Sequence, residues 1–408
     1  MAELLPGAPV TDLDVLGPAE TLAAYTARGG YEALRSARSA AAVDIIAAVR
    51  DAGLTGRGGA GFPAAAKWEA ARAHPGPRYL VVNGAEGEPG SYKDRHLLAR
   101  APHQVLEGAL IAARAVEADE IVVYINSEFG AAHDALAAAI GALRGSDLAD
   151  ALIPVRLLLE NHVYIAGEET ALLAVLMGRP AWPWPKPPYP TERGYRDQPT
   201  VVNNVETLAH IPVILRRGGD WYRQHQPTLF SVSGDVARPG VFELPLGLTV
   251  AELLEQAGGP LPGDRVAAVL PGGYSLPWLR ADQLDVAMTP EALQAAGTAL
   301  GASVIVVGEQ QGLGLAAARI AAFFARETCQ TCPICVTGTA RLAQLLRPAV
   351  GQPLAPAEVA EVTEMAAEHR HKGICTLLDT AASMAMTSAP DLTGSPQAGG
   401  EQLAAPVG

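Results

Sequence analysis

The chain is poor in cysteine, with four in 408 residues. That excludes a disulfide scaffold, which needs a far higher density of thiols. A reducing, cytoplasmic setting is therefore the expectation. Basic residues are outnumbered, 30 Lys and Arg against 43 Asp and Glu, for a formal net charge of −13. Such a surface excludes non-specific binding to nucleic acid and to anionic membranes, because both partners are negative. No uninterrupted apolar run reaches the roughly 18 residues that a spanning helix requires, so direct membrane insertion is not expected. The opening residues, MAELLPGAPVTDLD, lack the basic and apolar regions of a secretory signal. Aromatic residues make up only 5%, which alters core texture and says nothing of function.

What is present fits a globular protein, 49% apolar and 18% charged, long enough for two or three domains. Residues 40–54 (AAAVDIIAAVRDAGL) have helical periodicity. The short apolar runs YLVVN (79–83), EIVVYI (120–125) and VRLLLE (155–160) read as buried strands. Helical stretches at 102–117 and 129–143 lie between them. This alternation predicts an α/β layer with a mostly parallel sheet. GEETALLAVLMGR (167–179) reads as a helix with an acidic first turn. The five prolines of AWPWPKPPYP (181–190) forbid helix or central strand and predict a fixed extended loop.

Texture changes at 228, where short β patterns broken by Gly and Pro surround a helix at 249–259. From 310 onward helical patterns take over. The expected division is an α/β domain at 1–225, a β-rich module at 226–300, a helical domain at 301–386 and a disordered Gly/Pro/Ala/Ser-rich tail at 387–408.

Five segments carry chemistry. GRGGAG (56–61) matches G-x-G-x-x-G, but a dinucleotide fingerprint follows a strand and the residues before this one read as helix. A standard Rossmann loop is disfavoured, and a flexible turn is the plain alternative. Against that turn stand Gly56, Gly58, Gly59 and Gly61 beside Arg57 and Lys67. Bare amides with fixed positive charge suit a phosphate or a planar cofactor approached by main chain. NGAEGEPGSYKDR (83–95) follows a predicted strand, where ligands bind in open α/β sheets. Asn83 can address donor and acceptor atoms of a flavin or ribose, and Glu86 and Glu88 can accept from ribose hydroxyls; a solvated acidic turn is the alternative. YIAGEETALL (164–173) sets Glu168 and Glu169 at a helix N-terminus, where capping alone would explain them. VVNNVETLAH (201–210) pairs Asn203 with Asn204, also a common turn pattern.

The fifth segment is ETCQTCPIC, with Cys329, Cys332 and Cys335 in C-x2-C-x2-C spacing. Structural zinc sites more often use separated C-x2-C pairs, whereas three ligands so spaced open a [4Fe–4S] set. Cys375, 40 positions on, is the one thiol left for the fourth ligand. Zinc remains the alternative; unliganded core cysteines are disfavoured by the polar neighbours Thr328, Gln330 and Thr331.

Together with KPPYP and QPTVVNNVETLAHIP, these segments resemble the NADH-binding flavoprotein (F, 51 kDa-type) subunit of respiratory complex I. The wider family that they resemble includes the diaphorase subunits of NAD-linked hydrogenases and formate dehydrogenases. The resemblance covers about residues 30–385. It implies an FMN-binding α/β domain with Rossmann-like features, a β-grasp soluble-ligand-binding insert and a helical bundle carrying an iron–sulfur cluster. The glycine loop, with Gly56, Arg57, Gly58, Gly59, Gly61, Phe62 and Lys67, would hold FMN and approach the nicotinamide dinucleotide. Asn83, Glu86 and Glu88 would line the same pocket. Tyr164, Gly167, Glu168 and Glu169 would flank flavin and nicotinamide; Asn203 and Asn204 would contact FMN. Tyr189 stands where the family has a Phe against the adenine. Cys329, Cys332, Cys335 and Cys375 would bind the [4Fe–4S] cluster.

The implied activity is NADH oxidation through FMN, with electrons leaving through the cluster and no side chain acting as acid or base on substrate. The implied partner is a thioredoxin-like [2Fe–2S] subunit or a ferredoxin within a multisubunit redox complex, peripheral to the inner face of the membrane. The chain departs from the family at Ala85, where an Asp is usual, at Ala166, often Cys, and at Ala70, commonly aromatic. These departures motivate an alternative, an FMN/[4Fe–4S] wiring subunit that does not use NADH and exchanges electrons with a ferredoxin or sister subunit.

Overall fold

The computed structural model describes residues 3–5, 16–160, 163–301 and 303–393. The chain divides into two units, one of Met1–Ser231, Pro239–Gly247 and Gly301–Ser303, the other of Val232–Arg238, Leu248–Leu300 and Val304–Gly408.

The first unit opens with helices α1 (Leu22–Ala27), α2 (Glu32–Ser39), α3 (Ala42–Asp51) and α4 (Ala64–Arg72). Strand β1 (Tyr79–Gly84) follows, then α5 (Lys93–Arg100), α6 (Pro102–Val116), β2 (Glu120–Asn126), α7 (Gly130–Arg144) and β3 (Val155–Glu160). After α8 (Glu169–Leu176) come β4 (Thr200–Asn204), α9 (Val205–Arg217) and α10 (Gly219–His225). The four strands pair in parallel in the order β3-β2-β1-β4.

Strands in such a sheet are covered on both faces and so read as continuous apolar runs. Leu80 and Val82 of β1 face a core shared with α6 and α9, while Tyr79 and Val81 face a second core shared with α8 and Tyr195. Each fully buried residue of this kind stabilises the fold by about 1.5–3 kcal/mol. Helix α6 is buried along almost its whole length. Residues 3–5 are anchored far from their place in sequence: the Glu243 carboxylate accepts the backbone N–H groups of Glu3, Leu4 and Leu5 at 2.6–3.2 Å. That is the concave N–H arrangement that holds anions.

The remaining strands are β5 (Pro227–Gly234), β6 (Gly240–Pro245), β7 (Val266–Leu270), β8 (Leu279–Arg280) and β9 (Val304–Gly308), in a sheet of order β6-β5-β9-β7-β8. The β5–β9 pair is parallel, while β7 runs antiparallel to both β8 and β9. Helix α11 (Val250–Gln256) starts at a capping box between Thr249 and Glu252, and α12 (Pro290–Ala295) starts at Thr289. Helices α13 (Leu313–Arg326), α14 (Pro333–Leu346), α15 (Pro356–His369) and α16 (Leu377–Ser388) bury Phe324, Leu342, Val362 and Leu378 among them.

One boundary shifts. Composition predicts a tail from 387, yet α16 reaches Ser388 and a 3-10 turn continues over Ala389–Thr393. Ala389 and Leu392 are buried, and the Trp278 indole donates to Asp391 at 2.9 Å. Composition alone hides these anchors. The rest of that tail, 394–408, lies outside the described residues. Among the described residues no helix is long and apolar enough to cross a membrane.

Candidate functional site

In the first unit the carboxyl ends of β1 and β4 lie side by side, with Asn83 paired in register with Asn204 and Val82 with Asn203. This is the edge of a parallel sheet where ligands bind. Asn83 is held by its own neighbours: its amide donates to the Gly167 carbonyl at 3.0 Å and accepts from the Ala85 N–H at 3.1 Å. Asn203 is buried and accepts from the Trp68 indole at 2.9 Å. The Asn204 oxygen caps α9, accepting from the N–H groups of Glu206 and Thr207 at 3.0 and 3.4 Å.

The glycine loop joins α3 to α4 rather than a strand to a helix, as its flanking periodicity indicated. Its base is closed by the Thr55–Pro63 bridge and by the Gly56 N–H donating to the Phe62 carbonyl at 2.9 Å. Gly59 and Gly61 adopt φ of +106° and +63° with open space where a Cβ would stand. Any side chain there is strained. Gly58 packs on Asn204, at 3.3 Å from the position its own Cβ would take.

The Arg57 N–H donates to Thr207 Oγ1 at 2.8 Å, while its guanidinium turns inward to Tyr222 at 3.2 Å and leaves Nε buried without a partner. The loop therefore presents backbone, not the Arg57 charge. Phe62 is exposed by 53% and Tyr189 by 52%, so both rings are open to a ligand.

Fixed charge comes from Lys67, which donates to Glu169 at 2.9 Å and to the Val202 carbonyl at 3.3 Å. Lys186, in the proline loop, reaches Glu168 at 3.0 Å and Glu169 at 2.7 Å. Burial acts to raise the Glu169 carboxyl, but Lys67 and Lys186 outweigh it and hold the group below its ordinary range. Glu168 also caps α8, accepting from the Thr170 and Ala171 N–H groups at 2.7 and 2.9 Å. Tyr164 donates to Glu88 at 2.9 Å.

Glu86 lies apart from these groups. It is bound to Arg95 at 2.8 Å and to the N–H groups of Asp94 and Arg95 at 2.7 and 3.0 Å. Burial acts to raise it; Arg95 and Lys93 outweigh burial and keep it ionised. Its carboxylate is bound to the first turn of α5, which fixes the acidic loop that precedes the helix.

Beneath the pocket runs a buried ionic network that periodicity did not reveal. Lys93 sits at 2.9 Å from Asp94 and 3.0 Å from Glu206, all three almost without solvent exposure. Glu206 accepts from the Leu229 N–H at 3.1 Å, and His210 stands 3.5 Å from it. Burial would strip Lys93 of its proton, but Asp94 and Glu206 outweigh burial and raise its pKa. Burial pushes Asp94 up to about 6 despite Lys93.

Two buried histidines, His103 and His210, are held down at about 4, in each case first of all by burial. A histidine neutral in the fold and charged once unfolded makes unfolding take up a proton. Its stabilisation is full above about 6.5 and is lost as pH falls toward about 4. Asp94 acts in the opposite sense, stabilising in acid and fading as pH rises through about 6. Glu107 and Glu243, also raised first by burial, act with Asp94, so the profile is the difference of two opposed slopes, and the histidines supply the one that lowers the melting temperature between pH 7 and pH 5. His103→Asn keeps a hydrogen-bonding partner for the Tyr31 hydroxyl and should lose part of that slope by circular dichroism. A profile unchanged in the variant contradicts the assignment.

In the second unit Cys332 directly precedes α14 and Cys335 lies in its first turn, both buried; Cys329 and Cys375 are half-buried. The Cys335 thiol is pushed up to about 12, by burial first and then by Cys375, Cys332 and Cys329. The three thiols that act on Cys335 share its neighbourhood, and bound cations would relieve that repulsion. Among the described residues no three His, Cys, Asp or Glu side chains are arranged for a single ion. A cubane, with one thiolate on each iron, asks for a wider spread, and the all-thiolate donor set fits it.

Residues 49–213 match the Nuo51 FMN-binding domain, 229–275 the SLBB domain and 315–390 the NADH-ubiquinone oxidoreductase-F iron-sulfur binding region. Fold and donor sets thus define a flavin- and iron–sulfur-binding oxidoreductase subunit. The chain belongs, more particularly, to the family of F subunits of NADH-quinone oxidoreductase. It is 41% identical over 343 residues to the F 2 subunit of the Rhizobium meliloti NADH-quinone oxidoreductase, spanning 80% of this chain and 82% of that one. It is 39% identical over 383 residues to the F subunit of the Streptomyces coelicolor enzyme, spanning 90% and 85%.

Among solved structures it is similar to the NAD+-reducing [NiFe]-hydrogenase in its air-oxidised state, with TM-score 0.80, 31% identity and coverage of 95% of this chain and 69% of that one. For the H2-reduced state the TM-score is 0.76 at 34% identity, and the match spans 84% of this chain but 60% of the hydrogenase chain.

Two residues escaped sequence reading, Lys186 beside the glutamate pair and Asp94 in the network beneath. A lone lysine held in a rigid proline loop opposite a glutamate pair was the available signal for Lys186. For Asp94 no local signal existed, because its partners come from β4 and α9.

Proposed function

We propose that this chain oxidises NADH with the help of bound FMN and passes the electrons singly through a [4Fe–4S] cluster to a partner redox protein. Bound FMN accepts a hydride, two electrons at once, and releases electrons one at a time, which is why such cofactors join nicotinamide to iron–sulfur chemistry. The protein's part is placement and electrostatics. Asn83, Asn204 and the glycine-loop amides supply oriented hydrogen-bond groups at the sheet edge. Lys67 and Lys186 neutralise Glu168 and Glu169 while remaining able to meet an anionic ligand. Phe62 and Tyr189 offer open rings to an adenine.

The observation that carries this reading is the set of oriented groups at the ends of β1 and β4, in a chain 41% identical to a named F-type subunit of NADH-quinone oxidoreductase. In this reading the four thiols serve one cluster, and the electrons pass on to a thioredoxin-like [2Fe–2S] subunit or a ferredoxin. Attachment to a cytoplasmic membrane face would come through such partners.

Anaerobic titration with NADH tests the reading. Flavin absorbance should bleach first and the cluster should be reduced after it. Ala85 and Ala70 favour the second reading, a wiring subunit that receives its electrons from another redox protein. Flavin reduced by dithionite but by neither NADH nor NADPH would select it. Protein purified anaerobically without iron would sink both.

A further inference from the structure

We propose that Asp94 is a positioning residue for flavin binding that acts through Asn204; the proposal rests on the flavin reading above and adds to it a residue outside the pocket. Asp94 is buried in the first turn of α5. One carboxylate oxygen receives the Lys93 ammonium at 2.9 Å and faces the Glu206 N–H at 3.3 Å. The other receives the Asn204 carboxamide nitrogen at 2.6 Å. Asp94 thus ties the start of α5 to the start of α9 and to the end of β4.

The consequence falls on Asn204. Its oxygen is committed to the α9 N–H groups at 3.0 and 3.4 Å, so the amide cannot be flipped. Its nitrogen carries two hydrogens, one of which goes to Asp94. Among the described residues the other has no protein acceptor. It is presented beneath Gly58, which packs on Asn204, at the sheet edge beside Asn83. A carboxylate at 94 is needed because both of its oxygens must accept. An asparagine there has one oxygen for two donors: satisfying Lys93 turns its NH2 against the Asn204 NH2, and satisfying Asn204 turns its NH2 against the ammonium. The buried charge of Lys93 claims the oxygen, and the Asn204 NH2 then loses the acceptor that aims it. Preorganised donors bind better than mobile ones because less ordering remains to be done on binding.

The test uses the full chain, stripped of flavin, and measures FMN affinity by fluorescence quenching, with melting temperature alongside. Asp94→Asn and Asn204→Ala are each expected to weaken FMN at least tenfold. The double variant should be no weaker than the poorer single, because the two act along one path. Additive losses, or an Asp94→Asn variant within twofold of wild type, overturn the proposal.

If the single variants do not fold, the swap Asp94→Asn with Asn204→Asp decides. The asparagine placed at position 94 can then serve Lys93 through its oxygen and donate to the aspartate placed at position 204, which still caps α9. The melting temperature should return to that of the wild type, while FMN remains at least tenfold weaker because position 204 no longer donates outward. Wild-type affinity in the swap, or no recovery of melting temperature, overturns the proposal. Wild-type protein that binds no FMN at all overturns the flavin reading itself, and this proposal with it.

Discussion

Replacing Cys375 with alanine is expected to abolish the [4Fe–4S] cluster and leave FMN binding intact. The chain holds four cysteines, a cubane takes four ligands, and so none is spare. Cys375 precedes α16, and Cys335 sits in the first turn of α14. The Cys375 charge nevertheless heads the three thiol contributions that push Cys335 up, so the two lie near each other despite 40 intervening positions. Iron in anaerobically purified protein should drop from about four per chain to near none. The FMN affinity of the variant should stay within twofold, because the candidate flavin residues all belong to the first unit. Full iron content in the variant would remove Cys375 from the ligand set.

Lys93→Met is expected to cost about 3–5 kcal/mol, the range for breaking a buried ion pair on one side. The Lys93 side chain is 2% exposed and lies within 3.0 Å of two carboxylates, Asp94 and Glu206. Removing the ammonium leaves both charges buried. At about 2–4 °C per kcal/mol for a unit of this size, melting should fall by roughly 6–20 °C. Adding Glu206→Gln removes one stranded charge and should recover part of the loss. Calorimetry of the two variants checks this. A double variant less stable than Lys93→Met alone would show that Glu206 is held chiefly by other groups, Arg57 and the Leu229 N–H.

Much of the architecture was legible because its signals are local. YLVVN, EIVVYI and VRLLLE became β1, β2 and β3 because continuous apolar, β-branched runs have no other stable place than a covered parallel sheet. The strand at 200–204 did not declare itself. TVVNN is short and ends in two asparagines, residues depleted in strands, and its pairing with β1 spans more than a hundred positions. Helix α9 carries Pro212 within it, a residue that local rules place outside helix interiors.

In the site, Asn83, Asn204, Lys67 and Glu169 lay within recognisable motifs, and their convergence follows from the strand order. The Arg57 side chain did not behave as a sequence reader expects of an exposed loop arginine. Its burial depends on Tyr222 and Glu206, which the loop itself does not encode. KDR at 93–95 reads as solvated charge for the same reason, since Glu206 lies 113 positions beyond Lys93.

The clamp of Glu243 on Glu3, Leu4 and Leu5 has a consequence for synthesis. The contact joins residues up to 240 positions apart, so it adds heavily to contact order, the quantity that slows folding. At roughly 5–20 residues per second, the first residues leave the ribosome roughly ten to fifty seconds before their acceptor is made. During that interval Gln104, whose amide donates to the Glu3 carbonyl at 2.7 Å, and Arg217, which pairs with the Glu3 carboxylate at 2.6 Å, are its available partners, and both emerge before Glu243. The beginning of the chain is thus secured in stages, and its last tether arrives with β6.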